Sequence, residues 1–301
     1  MMFDAIIVGG SFAGLSAALQ LARARRSVLL VDAGQPRNRF AATAHGFLGH
    51  DGKPPQQIRA EAREQLARYP TVTFADGSAT AATRAGAGFV VEIEGTGGQR
   101  QEHGRRLVLA TGVRDELPDL PGLAERWGST VIHCPYCHGY EVAGSTLGIL
   151  GGDAMAAHKA ALIADWGPAI LFTQGGEEPA AEQAALLAAR GVAIERVPVA
   201  ALLGNAPDLD GVRLADGRVV TLGALFVSPG AKPASPLAGQ LGCAFDEGPF
   251  GPYVRVDERK QTTVPGVFAA GDAATPMHSA TLASAAGVLA GVHAHQSLVF
   301  G

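Results

Sequence analysis

The sequence predicts an α/β protein containing two strand, glycine turn and helix units, and three observations predict it. Glycine is unusually frequent, at 40 of 301 residues, apolar residues make up 47% and charged residues only 17%, a balance suited to many tight strand-to-helix turns. The apolar run Phe3 to Val8 enters the turn Gly9-Gly10-Ser11-Phe12-Ala13-Gly14 and then a helix. The run Leu147 to Leu150 enters Gly151-Gly152-Asp153 in the same way, as an internal echo.

The first unit predicts a buried strand over Phe3 to Val8, a helix over Leu15 to Arg25 and a second strand over Ser27 to Val31 that ends in Asp32. That layout is a dinucleotide fold, in which pyrophosphate sits at the helix N-terminus and the acid holds ribose hydroxyls. Ser11 takes the place of the middle glycine. Its side chain is small enough to let phosphate approach. The loop from Arg37 to Gly52 carries His45 and His50, read as loop histidines. Ile58 to Tyr69 has helical periodicity, Phe89 to Glu94 alternates as a strand, and Leu107 to Gly112 is a buried strand ending in small residues. Pro118 and Pro121 then break the pattern.

Near the middle of the chain stands His133-Cys134-Pro135-Tyr136-Cys137-His138-Gly139. Two cysteines at this spacing close and reopen a small disulfide ring, and such thiols often ionise near neutral pH. His133 and His138 flank them, ready to trade protons. A zinc site at the cysteines lacks a second CxxC, so no metal is expected there. A glutaredoxin-type motif is expected early in a small unit, not in mid-chain. Cys243 reads as an inert small residue.

After the cysteines, strands are expected over Leu147 to Leu150, Ala169 to Phe172, Val192 to Val197 and Leu225 to Val227, with helices to about Trp166 and over Pro179 to Arg190. Val212 to Leu214 and Val219 to Thr221 flank a hairpin turn. A small-residue helix to Gln296 follows Thr263 to Asp272.

Net charge is only -4 and no basic run occurs, which argues against nucleic acid or an anionic membrane as partner. No apolar run is long enough to span a bilayer. With three cysteines and no leader-like segment, a cytoplasmic enzyme with one catalytic pair is expected.

Together these residues resemble the low-molecular-weight thioredoxin reductases, through the glycine turn with Asp32, the end Ala110-Thr111-Gly112, the CxxC, and the string Thr263 to Asp272. The resemblance implies two Rossmann-like domains, the second inserted into the first: residues 1 to 114 and 238 to 301 bind FAD, and 115 to 237 carry the CxxC. It places Gly9, Ser11, Phe12, Ala13, Gly14, Asp32, Ala110, Thr111, Gly112, Gly271, Asp272, His278 and Ser279 at FAD. His278 and Ser279 stand where the family has an Arg-Gln pair. It makes Cys134 the residue that exchanges with substrate, Cys137 the one that faces the flavin and His138 the acid-base group. It also implies a homodimer acting on a dithiol or disulfide substrate, either a small molecule or a thioredoxin-like protein.

Two departures concern NADPH. Asp153 replaces the middle glycine of the second turn, and between Lys159 and Arg190 the chain has no Lys or Arg to hold a 2'-phosphate. At about 4 Å and an effective dielectric near 20, two unit charges repel by roughly 4 kcal/mol. The combination resembles the dithiol oxidases of this family, which pass substrate electrons to oxygen; reduction driven by another electron donor, NADPH-dependent thioredoxin reduction and a non-catalytic flavin-bound redox sensor are the alternatives.

Overall fold

The computed structural model describes residues 2–301, which form two compact units. One comprises residues 2–39, Phe47–Asp115 and Ala231–Gly301; the other comprises Phe40–Gly46 and Glu116–Gly230. The return crossing therefore falls at residue 231 where the sequence reading put it at 238, and a short piece of the early loop groups with the inserted unit.

In the first unit a parallel layer runs in the order Val72–Ala85, Val28–Asp32, Met2–Val8, Gly98–Leu109 and Val267–Ala269. Strand Gly88–Gly95 joins Val72–Ala85 to Gly98–Leu109 by antiparallel pairing on both sides. The long strand Gly98–Leu109 thus serves two layers: Gly98 to Gly104 pairs with Gly88–Gly95, and His103 to Leu109 pairs with Met2–Val8. Continuous apolar runs such as Ala5 to Val8 and Val28 to Val31 are fully buried, as expected for parallel strands covered on both faces. Phe89, Val91 and Ile93 point into the same core from the alternating strand.

The first helix spans Phe12–Arg23, one turn earlier than the periodicity suggested, because Ser11 already has the extended backbone of an N-cap. It ends early because Arg25 adopts a positive φ of 60°. The last helix, Ala280–Phe300, lies against it. Close approach depends on two glycines: a Cβ on Gly287 would stand 2.1 Å from the Ala13 carbonyl oxygen, and one on Gly291 2.5 Å from that of Ala17.

The second unit holds a parallel sheet in the order Ala193–Glu195, Ala169–Phe172, Leu147–Leu150, Ala224–Val227, Val131–Ile132. Alternation splits its side chains between two cores. Leu147, Ile149, Leu171 and Phe226 face the helix Ala154–Ile163. Leu150, Phe172, Leu225 and Val227 meet the three-stranded antiparallel sheet Val199–Leu203, Gly211–Leu214, Val219–Thr221. Among the described residues no helix is long and apolar enough to cross a membrane.

Candidate active site

Cys134 is the N-cap of a short helix, Pro135–His138, with Pro135 as its first residue. Proline needs no hydrogen-bonded amide there, so the ring starts the turn without loss. The Cys134 carbonyl accepts from the amides of Cys137 at 3.2 Å and His138 at 3.3 Å, which brings the two sulfurs to one end of the turn. Neither cysteine is in a disulfide, and both are half-buried. The Cys134 thiol is lowered to about 7, chiefly by a hydrogen bond with the Cys137 side chain; burial opposes this, and amides of the turn and the Lys159 charge assist. A thiol in that range is substantially ionised at neutral pH.

Lys159 is one residue that sequence reasoning missed. It lies on the helix Ala154–Ile163, is 8% exposed, and donates from Nζ to the carbonyls of His133 at 2.9 Å and Val227 at 3.0 Å. It ties the strand entering the CxxC to the neighbouring strand end. Burial pulls its ammonium down to about 8, against the pull of Cys134 and Asp153. The only local signal was one lysine on an otherwise small and apolar helix face.

His138 is held below the ordinary histidine range by burial, with Glu141 raising it and His45 lowering it further. Burial thus favours its uncharged form, and it follows Cys137 directly in the chain. His45, expected as a plain loop residue, meets it: the two rings are edge-on with centroids 6.0 Å apart. Tyr136 and Tyr140 stand exposed on the same segment, and the Tyr136 ring leans edge-on against Trp166. Cys243 is buried with its sulfur 3.5 Å from the Thr262 hydroxyl, and burial pushes its thiol up, as an inert role requires.

The first unit supplies a different kind of site. Gly9 has a φ of 109°, and a Cβ on it would lie 2.2 Å from the Ala110 carbonyl oxygen; one on Gly14 would lie 1.8 Å from that of Gly9. Gly10, which the fingerprint did not single out, leaves room for Asp32, whose carboxylate would be 2.5 Å from a Cβ there. Asp32 accepts from the Gly34 amide at 3.1 Å and pairs with Arg59 at 2.8 Å. Ser11 makes no side-chain cap, so the first-turn amides of the helix remain directed into the turn.

Asp272 and His278 come together through a residue the sequence did not reveal. Arg37 donates to Asp115 through Nε and Nη2 at 2.9 and 2.5 Å, to Asp272 at 3.2 Å, and has Nη1 2.6 Å from His278 Nδ1. His278 is held below its usual range by burial, with Asp272 opposing and Arg37 adding to the effect. Ser279, not His278, is the N-cap of the last helix. Gly112 takes a positive φ of 67° at the end of Ala110-Thr111-Gly112, as a tight turn after the strand demands.

The second glycine turn differs. Asp153 is the N-cap of its helix and its Oδ1 accepts from the Ala156 amide at 2.7 Å. The loop after the strand Ala169–Phe172 closes over the turn: a Cβ on Gly152 would meet the Thr173 carbonyl oxygen at 2.2 Å and Gly176 at 2.8 Å. Arg196 lies beside this loop, its guanidinium held in two hydrogen bonds by Glu178 at 2.5 and 2.9 Å.

A nucleotide-type fold with an open glycine turn, and a second bearing a two-cysteine helix, define a disulfide oxidoreductase. The chain belongs to the pyridine nucleotide-disulphide oxidoreductase family, whose model matches residues 3–287, and within it to the low-molecular-weight thioredoxin reductases. It is similar to thioredoxin reductase tcpT of Claviceps purpurea, at 35% identity covering 98% of this chain and 94% of that one. It is similar also to thioredoxin reductase sirT of Leptosphaeria maculans, at 33% identity with 96% and 92% covered. Among solved structures, an oxidoreductase from Agrobacterium tumefaciens superimposes with a TM-score of 0.94 at 51% identity, covering 100% and 99% of the two chains.

The family binds FAD. The residues present fit it: Gly9 and Gly14 leave a cradle that any Cβ would fill, and the adjoining helix end has no side-chain cap. Two buried polar atoms of the same unit, Asn38 Oδ1 and His50 Nδ1, have no hydrogen-bond partner. Buried polar atoms are rarely left so without a ligand or water.

Proposed function

We propose that the chain is an FAD-dependent enzyme that oxidises a dithiol substrate to its disulfide through Cys134 and Cys137, without NADPH. One observation carries the second half: Asp153 caps its own helix and thereby sets a carboxylate on the Ala156 amide, at the helix end a pyrophosphate would use. The absence of basic residues between Lys159 and Arg190 supports it further.

The oxidised enzyme begins with the Cys134–Cys137 disulfide. A substrate thiolate attacks the Cys134 sulfur, forming a mixed disulfide and expelling Cys137 as thiolate. The second substrate thiol gives up its proton, attacks the substrate sulfur of the mixed disulfide and expels Cys134. Substrate leaves as a disulfide, having lost two electrons and two protons. His138, neutral and adjacent, takes a proton, and Lys159 stabilises the Cys134 leaving thiolate. FAD, when bound, supplies the two-electron acceptor that restores the enzyme disulfide, with oxygen as the final acceptor. Gly9, Gly14, Ser11, Phe12, Ala13, Asp32, Ala110, Thr111, Gly112, Gly271, Asp272, His278 and Ser279 would hold it. Arg37, as the bridge between Asp272 and His278, joins this set. Tyr136 and Tyr140 offer an aromatic rim that favours a small, partly apolar dithiol. The enzyme is proposed to act as a cytoplasmic homodimer.

A second reading, NADPH-driven thioredoxin reduction, draws support from Arg196, the basic residue beside the loop that would meet a 2'-phosphate; Glu178 holds it. Anaerobic titration of the FAD-loaded enzyme decides between the two. A dithiol should bleach the flavin while NADPH and NADH leave it yellow. Rapid bleaching by NADPH would make thioredoxin reduction the function.

A further inference from the structure

In the inserted unit, three side chains from two distant segments converge. His138 ends the helix Pro135–His138 and Glu141 follows three positions later, the spacing that puts two side chains on one face of a turn. His45 arrives from the loop segment Phe40–Gly46 of the same unit. Its Nε2 lies 3.3 Å from Glu141 Oε1 and 3.0 Å from the Thr43 hydroxyl. One ligand atom from each of His45, His138 and Glu141 fits within a span of 4.8 Å.

Two imidazoles and one carboxylate are a donor set zinc accepts, at metal–ligand distances of about 2.0–2.2 Å, with a fourth position left to water or another ligand. Ligand atoms around a tetrahedral ion at those distances stand roughly 3.3 Å apart. His45 and Glu141 already have that separation. Glu141, 38% exposed at its side chain, has room to turn and close the rest of the gap. Neither ring is locked in a core, and neither cysteine is required, which distinguishes this arrangement from a cysteine-based zinc site.

We propose that His45, His138 and Glu141 form a zinc-binding site, and that zinc held there withdraws the His138 imidazole from the neighbouring thiols and reversibly inhibits turnover. Binding stands on the geometry of the three side chains alone; inhibition rests on the proton-accepting role proposed for His138.

The test uses oxidised, FAD-loaded enzyme, in which the closed Cys134–Cys137 disulfide offers no thiolate, titrated with zinc chloride by calorimetry in a non-chelating buffer. One zinc per chain is expected, with affinity falling at least about tenfold in His45→Ala and in Glu141→Gln. Each variant is checked for unchanged flavin content and absorbance. Binding that survives both substitutions at full strength, or wild type that binds no better than the two variants, overturns the site. Zinc should also slow dithiol turnover in wild type and spare it in Glu141→Gln. Zinc that binds through these residues yet leaves turnover unchanged overturns the inhibitory half and leaves the site standing. NADPH bleaching of the flavin is read separately and bears on neither.

Discussion

The two glycine turns of this chain begin alike and end differently. Each leaves a buried parallel strand, needs a glycine where backbone passes within about 2 Å of a would-be Cβ, and opens into a helix. At the third position one has Ser11, which makes no side-chain cap, and the other Asp153, which does. An uncapped first turn presents amides to an anion; a capped one has spent an amide on its own side chain, and the carboxylate repels whatever phosphate comes. An N-cap aspartate contributes about 1 kcal/mol to a helix. Under the proposed reading, the one residue that would exclude a nucleotide also stabilises the fold locally.

The sharpest way to break the comparison is to fill both turns. Gly14→Ala puts a Cβ 1.8 Å from the Gly9 oxygen, and purified protein should carry almost no flavin, read as the ratio of visible to ultraviolet absorbance. Gly152→Ala meets an equally close oxygen at 2.2 Å. It should be destabilised by roughly 1–3 kcal/mol in thermal melts, as overpacked sites are, yet keep its flavin.

Next comes restoration of the second turn. Asp153→Gly removes the carboxylate and costs only a few tenths of a kcal/mol as a cap. Nicotinamide binding, followed by fluorescence or flavin bleaching, should improve at least about tenfold, since the repulsion removed is worth up to roughly 4 kcal/mol. No improvement would mean that the closing loop Thr173 to Gly176, not the charge, excludes the nucleotide.

A smaller effect concerns Lys159, which occupies the helix of the second turn. In reduced wild type, alkylation of Cys134 by iodoacetamide should rise with pH through a midpoint near 7. A nearby cation favours the thiolate, so Lys159→Met should move that midpoint upward by about one unit or less. Smallest of all is Arg196→Ala: both partners of the Arg196–Glu178 pair are more than half exposed. Melting should shift by less than about 0.5 kcal/mol equivalent.

Much of this was legible because it is local. The runs Leu147 to Leu150 and Ala169 to Phe172 coincide with observed strands, since four apolar residues beside a glycine or proline leave little else to form. The strand Val72–Ala85 was not legible. Its sequence is mostly Ala, Thr, Gly and Ser, and what makes it a strand is pairing of Val72 to Asp76 with Val28–Asp32 and of Gly77 to Ala85 with Gly88–Gly95. The site divides along the same line. Cys134, Cys137 and His138 share one short string, whereas Arg37, Lys159 and His45 reach their partners from segments far along the chain and carry no spacing to read.

The glycine contacts of the last helix with the first impose an order on biosynthesis. Gly287 and Gly291 seat the helix Ala280–Phe300 against Ala13 and Ala17, directly beside the glycine turn proposed to hold the flavin. Strand Val267–Ala269, which pairs with Gly98–Leu109, is also made late. Until these late segments are made the first glycine turn is unbraced, and FAD should be retained only once they have packed against it. Chains truncated before residue 280 should fail to retain FAD, while the chain of residues 1–301 takes it up.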